Sequence, residues 1–379
     1  MNNKQNILPN FNHLFCFVFE VRIFFAILIL PVFPNSLFCS EQHYFYTGKD
    51  FGSEATYNPF SYVLNGGFDI LQCRNGNRDI RLLPYKNGFN NVINNLRNPF
   101  RSIRTYGLKE FINDEIFPDS FSSKNGQWAP NYGLHFIGGG MSYRAMKEWY
   151  SINGITHSST FSLLTLGIQH LLNETIENHN KTGVNVDPIA DIYIFDIAGV
   201  LVFNYDSIAK FFANTINLRD WSLQPTLTFS NASMHNVGQY FSFKLELPFF
   251  KENFVFGYIG MGGLVGGSHK FNNGKSLSVG IGGKTTSIVK VSSWRDKYSA
   301  KFGTSAGIFY DKEGSLLASI LISDVEDYFC NINVYPGLFG FHNFQPGFWV
   351  ILSQHGDVSL GITTKFTLNI GFESRGQYP

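Results

Sequence analysis

Charge is what this chain has least of. Asp, Glu, Lys and Arg supply 15% of its 379 residues and nearly cancel, at a net charge of +1, whereas an ordinary soluble domain carries roughly 25%. No basic stripe is available to neutralise phosphates, which excludes a general nucleic-acid partner. Cysteine is scarce as well. Of four, Cys16 and Cys39 fall in or beside an N-terminal leader, and Cys73 and Cys330 lie so far apart that two buried thiols are a simpler reading than a disulfide. Past the N-terminus no stretch holds 18 uninterrupted apolar residues, so no helix is expected to cross a membrane. Serine is common, yet no Gly-x-Ser-x-Gly elbow occurs, and a serine hydrolase of the soluble type has no support.

Aromatic residues make up 17% of the chain and glycines number 37. Aromatic girdles and small lumen-facing residues of a membrane barrel give that profile. Lys4 and Arg22 precede an apolar run at 23–33, followed by Pro34, Asn35 and Ser36. A core of that length fits a secretory signal better than a spanning helix, so residues 1–40 are read as a signal peptide cut near Cys39. Ser36, Leu37 and Phe38 match poorly what precedes a lipidated cysteine.

The clearest pattern is at 358–372, where Val358, Leu360, Ile362, Thr364, Phe366, Leu368, Ile370 and Phe372 alternate with Ser359, Gly361, Thr363, Lys365, Thr367, Asn369 and Gly371. This reads as one strand with an apolar and a small or polar face, long enough to cross a bilayer. The same alternation appears at 239–247, 254–258, 277–281 and 298–310. After the last of these, the turn Asp311, Lys312, Glu313, Gly314 leads into 315–323. Further strands are expected at 221–229, 285–291, 329–335 and 347–353, with less regular ones at 43–47 and 61–73. The fold class expected is mainly β with a helical insert, an antiparallel transmembrane β-barrel of about 10–12 strands. Residues 41–134 would supply N-terminal strands and loops, 135–218 the insert, and 219–379 the barrel strands.

In the insert the apolar period changes from 2 to about 3.6. Helices are expected at 141–152, 158–178, 188–203 and 207–216, the last with a capped start at Asp206–Ser207. Small inward strand residues leave space that the insert would partly fill or cap. His170, Glu174 and Glu177 share one helix face. A solvated face or a lumen-facing polar stripe is the favoured reading over a metal or catalytic site. Asp187 reads as an N-cap before Pro188. Asp191 and Asp196 sit among Ile, Tyr and Phe, where bare charges are costly, so partners such as His135, His157 or Arg144 are expected. Gly138, Gly139 and Gly140 read as a close-packed turn. No cofactor and no metal are expected, and His170, Glu174, Glu177, Asp191 and Asp196 are the only catalytic candidates.

The segments NGFNNVINNLRNPF, WAPNYGLHFIGGGMSYRAMKEWY, LLNETIENH, VDPIADIYIFDIAGVLVF and RDWSLQP, spanning about residues 88–225, resemble a family of uncharacterised Gram-negative envelope proteins. The resemblance implies an outer-membrane location and a helical region embedded in a β-barrel, and it carries no reaction or ligand. The function expected is that of a non-enzymatic outer-membrane barrel, structural or concerned with passage or binding of lipid or small solutes. Its partners would be outer-membrane lipid and a small apolar ligand, with oligomeric state left open. The alternatives are a membrane-embedded lipid hydrolase or transferase using the candidate residues, and a soluble periplasmic β-sandwich binding module.

Overall fold

The computed structural model describes residues 42–73, 78–118, 127–228, 231–292, 297–339, 345–364 and 369–374. The expected signal segment and Cys16 and Cys39 lie outside the described residues. From Gly52 to Thr215 the described elements are all helical, which corrects the strands expected at 43–47 and 61–73. Asn58 starts helix α1 (Pro59–Gly67): its side chain accepts from the Phe60 and Ser61 N–H groups, Ser61 Oγ accepts in return from the Asn58 N–H, and Pro59 fills the first turn. That reciprocal cap outweighs the weak alternation that follows it. Residues 43–47 pair with no strand, because the Tyr44, Phe45 and Tyr46 N–H groups donate to the buried Glu148 carboxylate.

Helices α2 (Tyr85–Arg97), α3 (Gly140–Ile152), α4 (Ser158–Glu177) and α5 (Ile197–Phe203) follow. Those expected at 141–152, 158–178, 188–203 and 207–216 are all present, with differences at the ends and in the kind of helix. A π-helical segment, Trp128–Gly139, runs directly into α3, so Gly138–Gly140 lie inside a continuous helix and not in a turn. A second, Asp191–Asp196, links the short helix Asp187–Ala190 to α5. The glycines bring the two helices together: a Cβ on Gly140 would lie 2.5 Å from the Phe203 ring, and one on Gly199 would lie 2.4 Å from the Phe136 carbonyl oxygen. Two expected caps are absent. Asp187 accepts instead from Lys181 Nζ (2.9 Å) and Gln127 Nε2 (3.0 Å), and Asp206 pairs with Arg144 at 2.8 Å. No described helix is long and apolar enough on its own to cross a membrane.

The rest of the described chain forms one mixed sheet of thirteen strands: β1 (Arg219–Asp220), β2 (Thr226–Thr228), β3 (Ser233–His235), β4 (Phe241–Leu247), β5 (Phe250–Ile259), β6 (Gly262–Lys270), β7 (Lys275–Ser292), β8 (Lys297–Lys312), β9 (Ser315–Ser323), β10 (Cys330–Val334), β11 (Gly347–Leu352), β12 (Val358–Thr363) and β13 (Asn369–Ser374). Strands β4 to β13 are paired antiparallel in chain order. β13 then pairs parallel with β2, and the order ends on β1 at one side and β3 at the other. The β-rich C-terminal region is therefore present, but the strand order is open and is not a closed antiparallel barrel. Its two ends belong to a single hairpin. β1 and β2 lie on one arm, β3 and β4 on the other, and Trp221 and Leu223 continue the register between them by donating to the Tyr240 and Gly238 carbonyls, each at 2.9 Å.

The long strand expected at 358–372 is a hairpin: β12 and β13 pair antiparallel, with Val358 opposite Ser374, Leu360 opposite Phe372 and Ile362 opposite Ile370. Residues 365–368 lie outside the described ones.

The two sheet faces differ sharply. Inward residues are aromatic, small or polar with a few leucines, and Trp221, Tyr240, Phe256, Tyr258, Phe309, Leu316 and Tyr335 pack into one core. Beside it Gln224, Asn236, Asn331 and Asn333 form a buried hydrogen-bonded network. Outward, a row of directly paired residues crosses ten strands without a polar side chain: Leu245, Val255, Gly267, Val279, Ile308, Ile320, Ile332, Val350, Leu360 and Phe372. Seven of its apolar side chains, Leu245, Val255, Val279, Ile308, Ile320, Leu360 and Phe372, are exposed. A parallel row from Phe243 through Val265, Ile281 and Ile322 to Val358 is equally free of charge.

The helices do not fill the inward side. On β4, Lys244 turns inward to Asp311 and Trp221, whereas Phe241 packs with Met141, Ala145, Phe203 and Leu218 and has Phe243 beside it. The insert thus covers the outward face at β4, and the aromatic core occupies the space assigned to it from the sequence. Cys73 and Cys330 are free thiols.

Candidate functional site

Three helical segments bring the site together. The π-helical Trp128–Gly139 carries His135, α4 carries His170, Glu174 and Glu177, and the π-helical Asp191–Asp196 carries the two aspartates. In a helix whose hydrogen bonds run i to i+5, residues five apart come into line. Asp191 and Asp196 consequently both reach the same imidazole.

Asp196 sits between two histidines. Its Oδ1 lies 3.0 Å from His135 Nδ1 and its Oδ2 contacts His170 Nδ1. The other nitrogen of His135, Nε2, is 3.5 Å from Asp191 Oδ2. Glu174 lies beside Asp191, with a carboxylate oxygen of each within 4.8 Å of the other, and accepts from Asn178 Nδ2 at 2.6 Å. His170, Glu174, Asp191 and Asp196 are all buried, so the solvated helix face expected for the first two is corrected. Glu177 stands apart: it accepts from Asn173 at 3.2 Å and lines the neighbouring cavity. Of the partners considered for the aspartates, His135 is one. Arg144 serves Glu148 and Asp206 instead, and His157 precedes α4 with φ +60°.

Electrostatics separate the two aspartates. Burial alone would raise the Asp196 pKa, but His170 and His135 outweigh it and hold the carboxyl below its ordinary value. At Asp191 burial is joined by Asp187, Glu115 and Asp196, and the pKa lies well above the ordinary value. Glu174 is raised in the same way by burial, Asp191, Asp187 and Glu177. Burial lowers the tendency of His135 to take a proton, but Asp196, Glu174 and Glu177 reverse this and leave its pKa raised. Glu115, buried beside Asp187, is pushed up to about 8. Lys181 faces this acidic group, and its attraction holds Asp187 below the usual range despite burial.

The cluster opens on a cavity of about 880 Å³ between the helices and the sheet. His135, His170, Asp191, Glu177 and Lys181 line one side, and residues 259–265 and 285–288 line the other. Among the described residues no hydrogen bond joins His135 or His170 to a hydroxyl, so the geometry offers acid–base or cation chemistry more readily than an activated serine. Sequence reasoning did not count His135, Glu115 and Lys181 as site residues. The only sequence signal that bore on them was the need of Asp191 and Asp196 for partners. Comparison with protein-family models, curated proteins and solved structures finds no match for the chain.

Proposed function

We propose that this protein works in an outer membrane, with the outward face of the sheet against lipid except where β4 to β8 face the helices and the cavity, and that it binds a small solute or a lipid-derived ligand in the cavity beside His135. The observation that carries the reading is the uncharged row from Leu245 to Phe372. Exposed apolar patches of that extent mark a surface meant for something other than water, and apolar-out, polar-in alternation is the signature of strands in a bilayer. The hairpin that holds both ends of the strand order gives the sheet a means of closing on itself in the membrane, which would leave no unpaired edge in lipid. The aromatic core on the inward side favours binding over passage through an open pore.

Membrane fractionation tests this. The full chain should resist carbonate extraction, require detergent for release, migrate differently on gels with and without heating, and give no steady conductance in planar bilayers. Recovery in the aqueous fraction without detergent would overturn the membrane reading, and a stable conductance would overturn the binding reading. A hydrolase or transferase is the second reading, favoured by the convergence of His170, Glu174, Asp191 and Asp196 next to His135. It predicts turnover of phospholipid vesicles by the wild type that Asp191→Asn abolishes.

A further inference from the structure

We propose that His135 Nε2, Asp191 and Glu174 form a binding site for a divalent first-row transition-metal cation, with Asp196 as the group that orients His135. The inference does not depend on the membrane reading. One ligand atom from each of the three residues lies within 4.8 Å of the other two. An ion about 2.1 Å from each donor draws its ligands to within about 4 Å of one another, so side-chain rotation of an ångström or less completes the site.

Two observations favour this trio over the neighbouring group of His135, His170 and Asp196. Both oxygens of Asp196 are already taken by imidazole nitrogens. Asp191, by contrast, is 4% exposed, and its Oδ1 is buried with no hydrogen-bond partner. A buried carboxylate oxygen without a donor is costly, and a cation at that point satisfies it.

The pairing of Asp196 with His135 Nδ1 has a direct consequence. A carboxylate holding one ring N–H fixes the tautomer and leaves the opposite nitrogen as a ligand, the arrangement usual behind metal-bound histidine. Here the opposite nitrogen is the one 3.5 Å from Asp191. The charge balance agrees: Glu115, Glu174, Glu177, Asp187, Asp191 and Asp196 gather around one lysine, Lys181, and two imidazoles. Carboxyl groups buried in such excess over the cationic side chains around them offer oxygens that a bound cation would satisfy. One nitrogen and two carboxylate donors suit Zn²⁺, Mn²⁺ or Fe²⁺. The cavity, which His135 and Asp191 both line, supplies an entry path and room for water or a ligand at the remaining coordination positions.

The test uses the full chain in detergent, stripped with a chelator and dialysed against Zn²⁺ or Mn²⁺, with metal read by elemental analysis. One equivalent per chain is expected. Asp191→Asn should lower affinity at least tenfold, and Asp196→Asn by about 10- to 100-fold through loss of the orienting contact, while Asp79→Asn at the distant Arg81 pair leaves it unchanged. Circular dichroism checks that each variant is folded. Should the variants fail to fold, the Co²⁺ spectrum of the wild type decides: visible bands of bound cobalt at one equivalent support the site, and the spectrum of the free aqueous ion overturns it. Absence of stoichiometric uptake, or uptake by folded Asp191→Asn equal to wild type, also overturns it.

Discussion

At the scale of the residue, the account rests on buried charges whose partners come from distant parts of the chain. Asp196 serves two imidazoles at once, so Asp196→Asn should destabilise the protein by about 3 kcal/mol, the cost of breaking a buried pair, seen as a fall in melting temperature in detergent. Gly199 is a second sensitive point. With a Cβ placed 2.4 Å from the Phe136 carbonyl oxygen, Gly199→Ala must spread the helices that carry His135 and Asp191, at a cost of about 1–3 kcal/mol. Asp69 gives a pH dependence away from the site. Burial, with Glu177 nearby, pushes its carboxyl up to about 8, whereas the unfolded chain releases that proton near 3.9. Between those values the unfolded state holds fewer protons, so stability falls as pH rises from about 4 to about 8 and then levels. Asp69→Asn can still accept from Gln72 and the Gln239 N–H through its oxygen, and it should flatten that slope in melting curves taken across the range.

At the scale of the element, sequence pattern located most of the C-terminal strands and the later helices because each carries one dominant period, but it missed β3 and the glycine-rich β6 and read the single strand β7 as two, at 277–281 and 285–291. It failed where two structures share a period. In the β12–β13 hairpin, paired residues are both even or both odd, as with Leu360 and Phe372 or Ile362 and Ile370. Even positions therefore stay on one face through the turn, and alternation cannot tell the hairpin from a single long strand. A distance can. Cysteines placed by Leu360→Cys and Phe372→Cys should cross-link readily on oxidation, whereas in one extended strand the two sites would stand about 40 Å apart and no intramolecular bridge would form. The π-helical segments hid the site in a similar way. At the α-helical period Asp191 and Asp196 diverge, and only the wider winding brings both to His135. His170 and Glu174 were legible as a pair on one face of α4, but nothing local told whether that face meets water or another helix. The strands expected at 61–73 failed for a local reason, the Asn58 cap with Pro59.

For the whole molecule, low charge with abundant glycine and aromatics led to the expectation of a barrel with small residues inward, and the sheet distributes that composition between two unlike faces. Small and polar residues turn inward with the Trp221 core, and apolar side chains turn outward in paired rows. Placement of the helices was not legible, since the space implied by small inward residues is taken by Trp221, Phe256 and Phe309, and the insert meets the outward side at β4. If the outward rows lie in a bilayer, Ile308→Arg near the middle of the band should cost about 2–4 kcal/mol of stability in the membrane and reduce the membrane-inserted fraction. The most direct test of the central claim is depth-resolved spin labelling in proteoliposomes at Ile308→Cys and Ser319→Cys, in a background whose native cysteines are replaced by serine. Ile308 is exposed on the outward row and Ser319 is buried on the opposite face. The account predicts that the label at 308 is relaxed by oxygen dissolved in the lipid and shielded from a water-soluble nickel chelate, with little lipid-phase relaxation at 319. Equal access of the nickel chelate to the label at 308 and to bulk water would contradict it.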